Sequence, residues 1–242
     1  MILVVGCGFV GETVAASLEA DEKEVVRIDP KYNNNKISDY PNARGAVVAV
    51  PTPTVEGKCD DSIIRSVIAE VGDIPILLKS TVPFPMMETY PSNVIYNPEF
   101  LRAKTAADDF ANQKYFILGG GTNLQRFFWK QTFGYLDVEF IDTDRKTASM
   151  VKYMHNAWLA TKVAFFHEVF WQIGEHYNHE QMIDILSKFE NIGPSHMVAP
   201  NDEGKLGYSG HCFPKDTEAF YDFTGSRIMQ RVIEVNNSLR KK

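Results

Sequence analysis

The segment Gly6-Cys7-Gly8-Phe9-Val10-Gly11 stands between an apolar run, Met1 to Val5, and a helical pattern, and no other feature narrows the available folds so far. Three glycines at this spacing each have a separate task. The first permits a tight turn after a strand, the second lets the backbone approach a pyrophosphate, and the third lets the helix pack closely on the strand. Backbone amides at the helix start, those of Phe9 and Val10 among them, then face the phosphates. At the end of the next apolar run, Val-Val-Arg-Ile-Asp-Pro, stands Asp29. A carboxylate there accepts hydrogen bonds from the adenosine ribose hydroxyls and repels a 2′-phosphate, so NAD is expected in preference to NADP. Cys7, inside the turn, reads as a packing residue.

The pattern from residue 1 to 143 alternates β-rich runs with helical ones, which predicts a doubly wound α/β domain of the Rossmann type. The predicted strands are Ile2 to Val5, Val25 to Asp29, Ala46 to Val50, Ile76 to Lys79, Val94 to Tyr96, Tyr115 to Leu118 and Val138 to Ile141. Helical spacing marks Glu12 to Glu19, Ser62 to Val71 and Leu124 to Phe133. After Thr143 the strand signal stops, and residues 144–242 are expected to form an all-helical domain. It begins with a proline-free helical pattern from Asp144 to about Tyr177, which at about 1.5 Å per residue would exceed roughly 45 Å. Its apolar residues, including Trp158, Phe165 and Phe170, cover more than one stripe, so a second protomer is expected beside it and the chain should form a homodimer. A loop rich in Gly, Pro and Asn spans Asn191 to Phe213, a helix begins at Pro214, and a last one runs from Ser226 to Arg240.

Composition removes several classes of function. A net charge of −6 without a basic stripe gives nucleic acid no electrostatic purchase. The basic end Arg240-Lys241-Lys242 reads as the cationic cap of a C-terminal helix. Lys152, His155, Lys162 and Glu168 interrupt the longest apolar candidate for a membrane span, and no basic leader precedes Met1-Ile2-Leu3, so a soluble, cytoplasmic protein is expected. Three well-separated cysteines, Cys7, Cys59 and Cys212, suit a reducing cytosol better than a disulfide framework. His176 and His179 lie three apart without a completing ligand set, so no metal is expected and both read as exposed helix-end histidines. Cys59 reads as an ordinary loop cysteine.

Four further segments follow in order: Val50-Pro51-Thr52-Pro53, Ser80-Thr81-Val82-Pro83, Asn97-Pro98-Glu99-Phe100-Leu101 and Gly207-Tyr208-Ser209-Gly210-His211-Cys212-Phe213-Pro214-Lys215-Asp216. With Val151 to Ala157 and Lys162 to Phe166 on the long helix, the chain resembles the UDP-glucose/GDP-mannose dehydrogenase family. The resemblance covers the family's first two modules. It implies a chain lacking a third module that helps hold the nucleotide, with poorer substrate affinity than a longer relative. It also implies two successive oxidations of a nucleotide sugar, UDP-glucose first among candidates, by NAD. The alternatives are GDP-mannose, a UDP-N-acetylhexosamine, or a non-catalytic NAD-binding homologue.

Taking a primary alcohol to a carboxylate removes two hydrides, so the aldehyde must be retained between them, and a cysteine adduct retains it. Cys212 ends a glycine-bearing loop just before a helix whose first turn accepts Pro214, where the positive helix end favours a thiolate. Asp216, four residues on, is assigned by the resemblance to proton handling. Lys152 and Asn156, also four apart, project to one side of the long helix. Such a pair is ordinarily a solvated face, but within the family pattern it suits an oxyanion. The resemblance makes Glu99 the candidate acid or base, with Thr81 placing a water or the nicotinamide. It adds Pro51 and Thr52 to the cofactor contacts, and gives Phe100, Leu101, Arg102, Lys205, Tyr208 and Gly210 to the substrate along with Lys152 and Asn156. His211 stands next to the nucleophile, where it is able to bias the thiolate. Departures from the family are Ala103 in place of a second carboxylate, Asn191 in place of an arginine, Tyr208-Ser209-Gly210 in place of a double glycine, and a short link between Asp29 and Val50.

Overall fold

Strict alternation along short apolar strands builds the first unit. In β1 (Ile2–Val5), Ile2 and Val4 face one core cluster while Leu3 and Val5 face another, and all four are buried. The computed structural model describes residues 1–242 apart from Glu56, Gly57, Asp202 and His211, so the expectation for His211 lies outside the described residues. The chain divides into two compact units, Met1–Lys152 and Tyr153–Lys242, and the last strand ends at Thr143.

After β1 come α1 (Phe9–Ala20), β2 (Val25–Ile28), β3 (Gly45–Val48), a small antiparallel pair β4 (Thr54–Val55) and β5 (Lys58–Cys59), α2 (Ser62–Val71), β6 (Ile76–Leu78) and β7 (Val94–Tyr96). Then follow α3 (Ala106–Ala111), β8 (Tyr115–Gly119), α4 (Asn123–Thr132) and β9 (Glu139–Thr143). Seven strands form one sheet in the order β2-β1-β3-β6-β7-β8-β9, parallel except where β7 meets β8. On one face Val14, Ala15 and Leu18 of α1, Phe110 of α3 and Trp129 of α4 bury Val47, Leu77, Ile95 and Phe116. On the other, Ile64 and Ile68 of α2 cover Val48, Leu78 and Tyr96. This is the doubly wound α/β sheet, with helices on both faces. The short link from Asp29 to Arg44 holds a 3-10 turn, Ile37–Asp39, and no strand, so β3 lies directly beside β1. The chain therefore steps from β1 to β2 on one side and returns to β3 on the other, which opens a crevice at the carboxyl ends of β1 and β3.

Three predicted strands are shorter than expected. Asp29, Ala49, Val50 and Lys79 lie just past the strands, at the carboxyl edge of the sheet. The helix α5 (Arg145–Ile173) spans about 43 Å, because the chain leaves helical geometry at Ile173, φ −138°, and passes into a 3-10 turn, Gly174–His176, where the spacing predicted continuation to Tyr177. The second unit then adds α6 (His179–Leu186), α7 (Phe213–Thr224) and α8 (Arg227–Leu239). Ala157, Ala160 and Ala164 of α5 pack with Tyr208, Met229 and Val232 in its core. Spacing does not reveal α3, α6, β4 or β5, which hold at most eight residues each. Among the described residues no helix is long and apolar enough to cross a membrane.

Candidate active site

Backbone shape comes first at the glycine loop. Gly6 has φ +89°, and a Cβ there would stand 2.6 Å from the Ala49 carbonyl oxygen at the end of β3. A Cβ on Gly11 would stand 1.8 Å from the Gly6 carbonyl oxygen, so α1 and the turn touch backbone to backbone. At Gly8, the N-cap of α1, an added Cβ meets nothing within 4 Å and no side chain caps the helix. The amides of Phe9, Val10 and Gly11 have no acceptor within the helix, so an open, amide-lined surface stands at its positive end. Such a cradle fits a dinucleotide pyrophosphate.

Asp29 fastens this loop. Its Oδ2 accepts the Cys7 N–H at 2.7 Å and its Oδ1 accepts the Lys31 N–H at 2.9 Å. Cys7 is buried, and its thiol is pushed up by that burial and by the neighbouring Asp29 and Glu12 carboxylates. The Ser80 hydroxyl donates to the Val50 carbonyl at 2.7 Å and the Thr52 hydroxyl to the Thr81 carbonyl at 3.0 Å. The turn of Pro51 and Thr52 is thereby tied to the end of β6.

Beyond β7, Glu99 is 8% exposed and Lys152, on α5, is 3% exposed. The Lys152 ammonium donates to Glu99 Oε1 at 2.9 Å and to the Glu99 carbonyl, while the Leu101 N–H donates to Oε2 at 2.7 Å. The ring of Phe100 lies 5.4 Å from the same ammonium. Arg102 turns to Asp109 instead, donating to both carboxylate oxygens at 3.1 and 2.6 Å, and its guanidinium holds that carboxyl down to about 2. Ala103 lies exposed in the same turn. Lys79, which spacing marks only as the last residue of a strand, is buried with its ammonium 2.5 Å from Asn97 Oδ1.

In the second unit Asp216 is 1% exposed. The Asn156 amide donates to its Oδ2 and the Lys215 ammonium to its Oδ1, each at 2.7 Å. Cys212 is the N-cap of α7, and its carbonyl accepts the Asp216 N–H at 2.8 Å, which puts Asp216 one turn into that helix. The loop before it is braced by residues that spacing does not single out. The Gly207 N–H donates to His167 Nδ1 at 2.9 Å, and the Tyr208 N–H to Asn236 Oδ1 at 2.6 Å. Tyr208 points into the core with its hydroxyl 3.3 Å from that of Thr217, whereas Lys205 and Gly210 are exposed.

Lys162 donates to the carbonyls of Ile192 and Gly193 at 2.9 and 3.2 Å, which holds the loop that carries Asn191. His179 is not the exposed helix-end histidine expected. Its Nε2 accepts the Ala199 N–H at 3.1 Å, and its ring packs 4.8 Å from that of Phe170. The cationic end also does more than cap α8, since Arg240 donates to the Leu206 carbonyl at 3.4 Å and the Lys242 ammonium lies 5.1 Å from the Trp171 ring.

An amide-lined glycine turn at the switch point of a doubly wound sheet, followed by a helical unit with a cysteine at a helix start, is the plan of the dinucleotide-dependent dehydrogenase class. The chain belongs to the UDP-glucose/GDP-mannose dehydrogenase family, whose cofactor is NAD. The model of that family's central domain matches residues 146–238. The UDP-glucose 6-dehydrogenase of Campylobacter jejuni is 30% identical over 294 residues, an alignment that covers all of this chain and 72% of that protein. The UDP-glucose 6-dehydrogenase of Rickettsia conorii is 30% identical over 255 residues, covering 93% of this chain and 54% of its own length. The UDP-glucose dehydrogenase of Pyrobaculum islandicum has the same fold, with a TM-score of 0.86 at 23% identity over 98% of this chain and 68% of that one.

Proposed function

We propose that this chain oxidises the primary alcohol of a nucleotide sugar, UDP-glucose in the first instance, to the carboxylate through a cysteine-bound intermediate, with residues 1–143 holding NAD and 144–242 supplying the nucleophile. The observation that carries the reading is Cys212 at the N-cap of α7 with the buried Asp216 one turn below it, in a chain of this family. NAD supplies the acceptor for each of the two hydrides when bound to the cradle of Gly6, Gly8, Phe9, Val10 and Gly11, with Asp29 at the ribose and Pro51, Thr52 and Thr81 completing the contacts.

The chain's residues handle the protons and the carbon. Glu99 takes the alcohol proton, directly or through a water placed by Thr81, and returns a proton later. The Cys212 thiolate, favoured by the helix start, adds to the aldehyde carbon as its oxygen becomes the alkoxide of a thiohemiacetal. Lys152 and Asn156 donate to that oxygen, for which the Lys152 ammonium is already desolvated. Loss of the second hydride leaves a thioester. Asp216, held by Asn156 and Lys215, draws a proton from the water that splits it and so releases the acid and the thiol. Phe100, Leu101, Lys205 and Gly210 line the substrate, Arg102 reaches it only by giving up its pairing with Asp109, and Tyr208 shapes the loop on which Lys205 and Gly210 sit. A reactive thiol of this kind requires a reducing compartment, which puts the reaction in the cytosol.

The test is NADH release with UDP-glucose, GDP-mannose and UDP-N-acetylhexosamines in parallel. Two NADH per UDP-glucose are expected, with Cys212→Ala abolishing acid formation and leaving NAD affinity intact. Two NADH per sugar from Cys212→Ala would refute the covalent route. NAD binding without turnover on any of these sugars would make the chain a binding homologue.

A further inference from the structure

Lys79 directly follows β6 with 4% of its surface exposed, and its ammonium is met by a neutral amide rather than a carboxylate. The Asn97 side chain that accepts from it at 2.5 Å donates in turn to the Ile117 carbonyl at 2.7 Å, which fixes the amide with its oxygen toward the lysine. The rings of Phe110 on α3 and Phe116 on β8 lie 5.6 and 5.5 Å from the ammonium. One amide and two ring faces are poor compensation for a buried charge, and a site that only needed filling would take methionine or leucine at lower cost.

The position explains the charge. Two residues after Lys79 comes Thr81, and two residues after Asn97 comes Glu99. The backbone already aligns these strand ends, since the Lys79 N–H donates to the Val48 carbonyl and the Asn97 N–H to the Leu78 carbonyl, both at 2.8 Å. The side-chain bond then locks the point at which each departs from the sheet. Burial pushes the ammonium down to about 8, the Glu99 carboxylate opposing that shift and the Lys152 ammonium adding to it.

We propose that Lys79 is a positioning residue: its ammonium locks Asn97, thereby fixing Glu99 relative to Thr81, and it adds a third buried charge to the Glu99 and Lys152 pair. The inference rests on the roles proposed above for Thr81 and Glu99.

The experiment compares the full chain with Lys79→Met and Lys79→Arg. In Lys79→Met, kcat should fall about tenfold or more while NAD affinity stays within about twofold, a split that a general loosening of the fold would not give. Its melting temperature should equal or exceed the parent's, because a costly charge has been removed. The parent's kcat should fall as pH rises through about 8, where the ammonium is lost, and Lys79→Arg should move that limb upward. A lysine titration followed by the side-chain 13Cε resonances should show one lysine near 8 that is missing from Lys79→Met, whether or not the chain turns over.

Unchanged kcat in Lys79→Met overturns the proposal, as does every lysine titrating near its ordinary value. A Lys79→Met chain that melts well below the parent or fails to fold makes the residue a structural brace and overturns it too. Lack of turnover by the parent would overturn the functional reading and this role with it, whereas parental turnover with an indifferent Lys79→Met overturns this inference alone.

Discussion

The glycines at positions 8 and 11 look alike in the sequence and differ in what a methyl group would meet. Gly8 has φ −69° with nothing within 4 Å of an added Cβ, so Gly8→Ala should fold with stability within about 0.5 kcal/mol of the parent. The new methyl would occupy the cradle, and NAD affinity should fall about tenfold or more, roughly 1.4 kcal/mol. In Gly11→Ala the Cβ would lie 1.8 Å from the Gly6 carbonyl oxygen, so the backbone must move and about 1–3 kcal/mol of stability should be lost. Urea denaturation and NAD titration calorimetry on the two variants separate the roles, and a Gly8→Ala chain that binds NAD as well as the parent would remove the pyrophosphate from this turn. Asp29→Ala should weaken NAD and relax its preference over NADP, since it removes both the proposed ribose acceptor and the acceptor of the Cys7 N–H. Tighter NADP binding by the parent would contradict that assignment.

Elements are coupled in the helical unit by two histidines. His167 on α5 accepts the Gly207 N–H and His179 on α6 accepts the Ala199 N–H, so each holds the loop before Cys212 through a neutral ring nitrogen. Burial pushes both below their ordinary value of 6.5. The unfolded chain therefore binds protons that the folded chain does not, and stability rises with pH through the window just below 6.5 and is lost as pH falls through it. Thermal melts between pH 7 and 5 should show this loss, and the slope should be reduced in His167→Gln. A slope identical in parent and variant would free His167 from any part in acid sensitivity. At the start of α8, the Ser226 hydroxyl accepts the Met229 N–H at 3.3 Å, and Ser226→Ala should cost about 1 kcal/mol in the same assay.

At the scale of the whole molecule the question is what meets the outer face of α5. Met154, Trp158 and Phe165 are 57, 61 and 58% exposed and fall on one side of the helix at intervals of four and seven residues. Phe170, expected beside them, is instead half-buried against His179. An exposed aromatic stripe of this size on a long helix fits a second copy of the chain. Sedimentation at micromolar concentration should show a homodimer that Trp158→Glu converts to monomer. A monodisperse parental monomer would dispose of the dimer.

What the sequence settled by itself was local in origin. The glycine turn and the cysteine at a helix start depend on backbone conformation within a few residues, and β1, β3, β6 and β7 stand out as short continuous apolar runs, the mark of strands buried on both faces. Four ordered segments then sufficed for the family. The partners of the polar groups were decided only in three dimensions. Lys152 and Asn156, paired with each other by helical spacing, each found a carboxylate far along the chain, Glu99 at a separation of 53 residues and Asp216 at 60. Helical spacing tells which residues share a face, but the charge that waits opposite that face comes from another element. Lys79 read as a strand terminus for the same reason, since burial belongs to the packing of α3, β7 and β8 around it and to no pattern in its own segment.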